Sequence, residues 1–223
     1  VSNPPSVLVF DVNETLSDLQ PMAQRFTDVG APGHLSTLWF AMVLRDGFAL
    51  TAAGSQQPFA ELGAGALRTV LTGLDLDRDL ETAVAHVMQG FSELGVHDDV
   101  PDGARGLRDA GLRLVTLSNG SSQVAEQLLT RAGIRDSFQH LLSVEDAGAW
   151  KPARTAYEYA AGACGTPLDA MTLVAVHPWD IDGAARAGMS TVWINRTGAS
   201  YPDYFTPPTH TVSALTDLAG RLA

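Results

Sequence analysis

The hydrophobic pattern opens with an unbroken apolar run, Val7-Leu8-Val9-Phe10, of the kind that forms a strand buried on both faces. From residue 18 to about residue 98 no convincing strand follows. Apolar residues recur there at helical spacing in four stretches, near 21–29, 34–52, 58–73 and 78–92. Pro32-Gly33, Gly54-Ser55 with Pro58, and the segment from Gly73 to Asp77 separate them. Beyond Pro101-Asp102-Gly103 the pattern alternates. Helices are expected near 102–110, 121–132, 153–163, 180–188 and 213–222, and strands at Leu112–Leu117, His140–Ser143, Met171–Val176 and Thr191–Ile194. Alternation of this kind predicts an α/β fold with a Rossmann-like, doubly wound parallel sheet. The core is expected to comprise residues 1–17 and 99–223, with a helical cap, 18–98, inserted after the first strand.

Four segments place polar groups where such a sheet binds ligands, at the carboxyl ends of its strands. Asp11 sits at the tip of the first strand, the setting of an aspartate nucleophile; the competing reading is a residue that only caps a turn. Ser118-Asn119-Gly120-Ser121 ends the second strand and exposes a hydroxyl and backbone donors suited to an anion. Ser121 or Ser122 as a plain helix cap is the alternative. Pro152, read as the start of a helix, puts Lys151 in the turn before it, near the sheet edge rather than in solvent. The fourth strand runs into His177-Pro178-Trp179-Asp180, where Asp180 either serves the site or caps the next helix.

Charge and composition narrow the partners. Twenty-five acidic against 14 basic residues give a net charge of −11, which disfavours nucleic acid or an anionic membrane. An anionic substrate would need a locally built site, for which Lys151 and Ser118 are candidates. No apolar run approaches the ~18 residues of a membrane span, and Val1–Ser6 carry neither a basic flank nor a signal-like core. The single cysteine, Cys164, excludes an intrachain disulfide, and a cytoplasmic location is expected. His34, His86, His97, His140 and His210 form no metal-ligand spacing.

In this order, the Asp11 motif, the helical insertion, the Ser118-Asn119 turn, the Lys151-Pro152 turn and the final Asp180 motif resemble the haloacid dehalogenase superfamily of hydrolases. The resemblance implies Asp11 as nucleophile, Thr15 as its positioning group and Ser118 as a ligand for a substrate oxygen. It also implies Lys151 as the cation that holds Asp11, and Asp180 as support for the hydrolytic step. Magnesium-dependent phosphatases of the superfamily have Asp-x-Asp in the first motif and a further acid in the last. This chain has Asn13 and Ala175 at those places, a poor set of oxygen ligands for Mg²⁺. Leu117–Ser121, Leu141–Val144, Lys151-Pro152 with Tyr157, Trp179-Asp180 and Trp193–Gly198 are instead similar to the type II, (S)-2-haloacid dehalogenase branch, which uses no metal or other cofactor. That branch implies attack of Asp11 on C2 of a small 2-substituted carboxylate, then hydrolysis of the ester. It also implies a homodimer formed through cap helices. Leu35, Leu38, Trp39, Phe40, Met42 and Val43 in the cap can supply a dry pocket. Asn13, Ser118, Asn119, Trp39, Phe40 and Trp179 are the expected substrate contacts.

The pattern departs from that branch at the leaving group. The branch carries an arginine for the halide directly after the cap tryptophan, where this chain has Phe40. Arg45, five residues on, falls on the wrong helical face to replace it and is expected on the surface with Asp46. An alternative substrate is a strained cyclic amino acid such as azetidine-2-carboxylate, whose leaving nitrogen needs no anion site. Phe40 or Trp39 could then face the cation, and Asn13 could bond the ring nitrogen. His177 is expected to act as a base, or to orient the hydrolytic water or Asp180. A magnesium-dependent phosphatase and a non-catalytic binding relative are the remaining alternatives.

Overall fold

The computed structural model describes residues 7–222. Residues 1–6, read above as lacking a signal sequence, and residue 223 lie outside the described residues. The chain divides into two compact units, one running to Ser17 and resuming at Gly95, the other Asp18–Leu94. The second junction precedes the expected residue 98. Val96 bridges Ser17 and the His97 N–H donates to the Leu16 carbonyl at 3.0 Å, which ties both ends of the insertion to the first unit.

Within the helical unit lie α1 (Met22–Thr27), α2 (Leu35–Ala52), α3 (Phe59–Leu71) and α4 (Leu80–Ser92). Asp79 caps α4 by accepting the Thr82 N–H at 3.0 Å. The interior of this unit is aromatic: Phe91 stacks on Phe59 at 4.8 Å and meets Trp39 edge-on at 5.7 Å.

The other unit is a six-stranded sheet in the order β3-β2-β1-β4-β5-β6, every neighbouring pair parallel. Its strands are β1 (Val7–Phe10), β2 (Arg113–Ser118), β3 (Phe138–Ser143), β4 (Met171–Ala175), β5 (Ser190–Ile194) and β6 (His210–Val212). All four β1 residues are fully buried, as expected of a central parallel strand covered by helices on both faces. The helices of this unit are α5 (Val100–Asp109), α6 (Ser122–Arg131), α7 (Val144–Ala147), α8 (Arg154–Cys164), α9 (Pro178–Ala187) and α10 (Ala219–Leu222).

Two expectations are corrected here. The segment read as a helix over 213–222 instead begins with β6, continues as a 3-10 turn at Leu215–Asp217, and ends in the four-residue α10. Three residues, His-Thr-Val, are too few to show a strand period. Pro152 does not start a helix either, because α8 begins at Arg154 with Ala153 at its cap. Pro178 does occupy the first turn of α9, where its missing N–H costs nothing.

One close contact sets the distance between α9 and the turn that carries Lys151. A Cβ at Gly183 would stand 2.5 Å from Pro152 Cβ and 2.6 Å from the Tyr157 hydroxyl. Gly183→Ala must therefore separate α9 from that turn. It is expected to lower stability by about 1–3 kcal/mol and to reduce activity, checked by urea denaturation alongside turnover.

Candidate active site

Asp11 lies one residue beyond β1, with its N–H donated to the Val174 carbonyl of β4 at 3.1 Å. The strand order reverses between β1 and β4, so Asp11 stands at the point where an open α/β sheet forms its crevice. The chain then turns sharply, with the N–H groups of Leu16 and Ser17 both donating to the Val12 carbonyl. Thr15 returns over the carboxylate and donates its hydroxyl to Asp11 Oδ2 at 2.6 Å. The same oxygen of Thr15 accepts the Val176 N–H at 3.1 Å, which leaves its proton for Asp11. Arg196 anchors the turn by donating to the Thr15 carbonyl at 3.0 Å while paired with Asp99.

Lys151 is completely buried, and its ammonium donates to Asp11 Oδ1 at 2.9 Å and Asp180 Oδ2 at 2.6 Å. The remaining Asp180 oxygen accepts the Tyr157 hydroxyl at 2.6 Å. Asp180 is thus an interior residue of the first turn of α9, whose cap position belongs to His177. Asn119, expected on the substrate, spends its amide on the lysine backbone. Its Oδ1 accepts the Lys151 N–H at 2.9 Å and its Nδ2 donates to the Lys151 carbonyl at 3.3 Å. Ser118 accepts the Gly120 N–H at 2.8 Å, and Ser143 holds the Gly120 carbonyl at 2.9 Å. Asn13 is buried beside Gly120 and its side chain hydrogen-bonds to no described residue. The Ser118 hydroxyl proton and the Asn13 amide are therefore the groups left for a ligand.

His177 departs most from expectation. Its Nδ1 meets Asp11 Oδ2 at 3.1 Å and its Nε2 meets Glu14 Oε2 at 2.8 Å, while Trp179 stacks on the ring at 4.9 Å. Ionised carboxylates only accept hydrogen bonds, so both ring nitrogens carry protons and the ring is an imidazolium. Burial works against that charge, but the hydrogen bonds and charges of Asp11 and Glu14 prevail and push the His177 pKa up to about 9. In this state it cannot be the base once expected. Glu14, unassigned in the sequence reading, holds a left-handed backbone (φ 62°). Its carbonyl accepts a hydrogen bond from His97 Nε2 at 2.9 Å if that nitrogen carries the proton.

Electrostatically the cluster is nearly balanced, with Lys151 and His177 facing Asp11, Asp180 and Glu14. Burial alone would raise the Asp11 carboxyl, but the Lys151 ammonium, His177 and the Thr15 hydroxyl together hold it well below the usual carboxylate range. Burial, with the nearby Asp11 charge, raises Asp180 against the opposing pull of Lys151. Burial disfavours the Lys151 charge, and its two carboxylates outweigh that and raise its pKa. Tyr157 is kept neutral, and hence a donor, by burial and by Asp180.

Asp11, Thr15, Asn13, Ser118, Asn119, Lys151, His177, Trp179 and Asp180 all come together in one unit. The remaining expected contacts belong to the helical unit. There Trp39 is fully buried and donates its indole N–H to the Gly63 carbonyl at 2.9 Å, and Phe40 packs between Trp39 and Phe59. Arg45 is exposed and paired with Asp46 at 2.8 Å. Among the described residues no helix is long and apolar enough to cross a membrane.

At its reversal point the parallel α/β sheet carries a buried lysine that bridges two carboxylates. Residues 5–188 match the family model described as haloacid dehalogenase-like hydrolase, and the chain belongs to that family. It is 34% identical over 93% of its length to an (S)-2-haloacid dehalogenase of Pseudomonas sp. (strain YL), 90% of which is covered. It is 30% identical to haloacetate dehalogenase H-2 of Moraxella sp. (strain B), with 97% of each chain covered. Among solved structures it superposes on the L-2-haloacid dehalogenase RSc1362 with a TM-score of 0.92 and 30% identity, covering 99% of both chains.

The charge state of His177 ties stability to pH. Its pKa rises from 6.5 to about 9 on folding, so its contribution is complete below pH 6.5 and is lost as the pH climbs through about 9. Denaturation midpoints measured across that window should fall for the wild type and stay flatter for His177→Asn.

Proposed function

We propose that this hydrolase acts at C2 of a small 2-substituted carboxylic acid through an ester on Asp11, as a 2-haloacid dehalogenase. The observation that carries this reading is the Asp11 carboxylate itself, buried, ionised and held by Lys151 and Thr15. Low solvation favours a carboxylate as a nucleophile toward carbon, and the fixed lysine orients one of its oxygens. Ser118 and Asn13 would receive the substrate, and Lys151 and Asp180 would support hydrolysis of the ester. The family relationship and relatives named (S)-2-haloacid dehalogenase at 31–34% identity support the same substrate class. A small-molecule acid is thus the expected partner, with a homodimer following by the resemblance. The buried free thiol of Cys164 suits a reducing compartment such as the cytoplasm.

A magnesium-dependent phosphatase finds no support in the donor set. All four oxygens of Asp11 and Asp180 already accept hydrogen bonds from Lys151, Thr15, His177 or Tyr157. Asn13 and Ala175 add no carboxylate, so the residues present do not fit Mg²⁺. A second reading has a specific observation in its favour. Phe40, an aromatic side chain, stands where the branch has its halide arginine, and Arg45 is engaged by Asp46 at the surface. Opening of azetidine-2-carboxylate would release a tethered amine and no anion.

Halide release from (S)-2-chloropropionate and (S)-2-bromopropionate in EDTA is the deciding assay. Release should persist without metal and fall by more than about 10³-fold in Asp11→Asn. No release, with ring opening of azetidine-2-carboxylate, would move the reading to the cyclic substrate. Magnesium-dependent hydrolysis of a phosphate ester would overturn it.

A further inference from the structure

We propose that His177 and Thr15 form the oxyanion site for hydrolysis of the Asp11 ester, with Glu14 as the positioning residue for the imidazolium; this rests on the ester reading above. The two oxygens of Asp11 are not equivalent. Oδ2 already accepts from the Thr15 hydroxyl at 2.6 Å and from His177 Nδ1 at 3.1 Å. Among the described residues, Lys151 is the one hydrogen-bond donor to Oδ1, at 2.9 Å. The oxygen with fewer donors keeps more of its lone-pair density for attack, so Oδ1 bonds to C2 and Oδ2 becomes the ester carbonyl oxygen.

Hydrolysis then builds charge where the two donors point. Water oxygen bonds to Asp11 Cγ and the carbonyl π pair moves onto Oδ2. When that pair returns, the Cγ–Oδ1 bond breaks and Oδ1 leaves on C2 as the product hydroxyl. One water proton goes to that oxygen and the other to solvent, while the water oxygen remains in the regenerated carboxylate. A hydrogen bond from a cation is much stronger to the oxyanion than to the neutral ester carbonyl, and that difference lowers the barrier.

Glu14 matters most while Asp11 is esterified. The ester carries no charge, and the Glu14 carboxylate at 2.8 Å is then the nearest ionic partner of the ring. The left-handed turn at Glu14 aims this side chain, a backbone conformation that residues other than glycine rarely adopt. His177 is faced by Asp11 from the end of β1, Glu14 from the following turn and Trp179 from α9. Lys151 reaches it through the shared Asp11 carboxylate. The leaving group departs from the face of C2 opposite Oδ1, whereas both ring N–H groups are turned to Asp11 and Glu14. His177 is therefore no substitute for the arginine absent at Phe40.

Rapid-quench single turnovers with (S)-2-chloropropionate, or azetidine-2-carboxylate where halide release is negative, separate the two half-reactions. The Asp11 ester is followed by mass spectrometry of the intact protein. In His177→Asn, ester decay should slow by about 10²–10³-fold and by more than ester formation does, so the adduct accumulates. In wild type, decay should fall as the pH rises through the imidazolium titration, and in Glu14→Gln that fall should come at lower pH. Persistence of the ester-forming burst shows that each variant is folded, and His177→Gln serves if the asparagine variant is not. Decay at the wild-type rate in these His177 variants, or decay that accelerates with pH as for an imidazole base, overturns the oxyanion assignment alone. No adduct in the wild type on either substrate overturns the ester reading beneath it.

Discussion

An ammonium group withdrawn completely from water is tolerable only with close anionic partners, and Lys151 has two, Asp11 and Asp180. Most of the surrounding structure serves that requirement. Asn119 clamps the lysine backbone at both its N–H and its carbonyl, so the side chain starts from a fixed point. Tyr157 occupies the far oxygen of Asp180, and Gly183 lets α9 approach closely enough for that hydrogen bond to form. Each carboxylate would repel the other without the cation between them. Removing it would leave two buried like charges, a loss on the scale of 3–5 kcal/mol for broken buried pairs.

His177 supplies a second positive charge, which changes the balance around Asp11. A single cation shared by two carboxylates leaves a net negative cluster, and the imidazolium brings that pair to neutrality. Glu14 then adds an anion whose carboxylate is partly exposed. Asp11 consequently stays ionised without being fully neutralised by any one partner. Its charge is divided between two oxygens with different donors, a polarisation within one side chain.

Much of this was legible in the chain. The unbroken apolar run of β1 marked a central strand, because only a strand covered on both faces can be apolar at every position. The four cap helices and the strands ending at Ser118 and Ser143 followed from periodicity and from Gly, Pro and Ser punctuation. Asp11, Lys151 and Asp180 could be read because each ends or follows a recognisable element. Glu14 could not be, since its partner His177 lies 163 residues away and a charged residue in a turn ordinarily faces water. Asn119 was read as a ligand group because an amide in a loop gives no sign of which backbone it will grip. β6 was missed for lack of length, and the protonation of His177 depends on two carboxylates that only the fold assembles.

The bridge between Ser17 and Val96 has a consequence beyond anchoring. The inserted unit leaves and rejoins the sheet-bearing unit through residues paired side by side, with His97 bonded back to Leu16. An insertion whose ends already meet places no demand of length or shape on the chain that carries it. The helical unit is in this sense a cartridge. Its length and helix content can therefore change while the turn from Asp11 to Ser17 stays as it is.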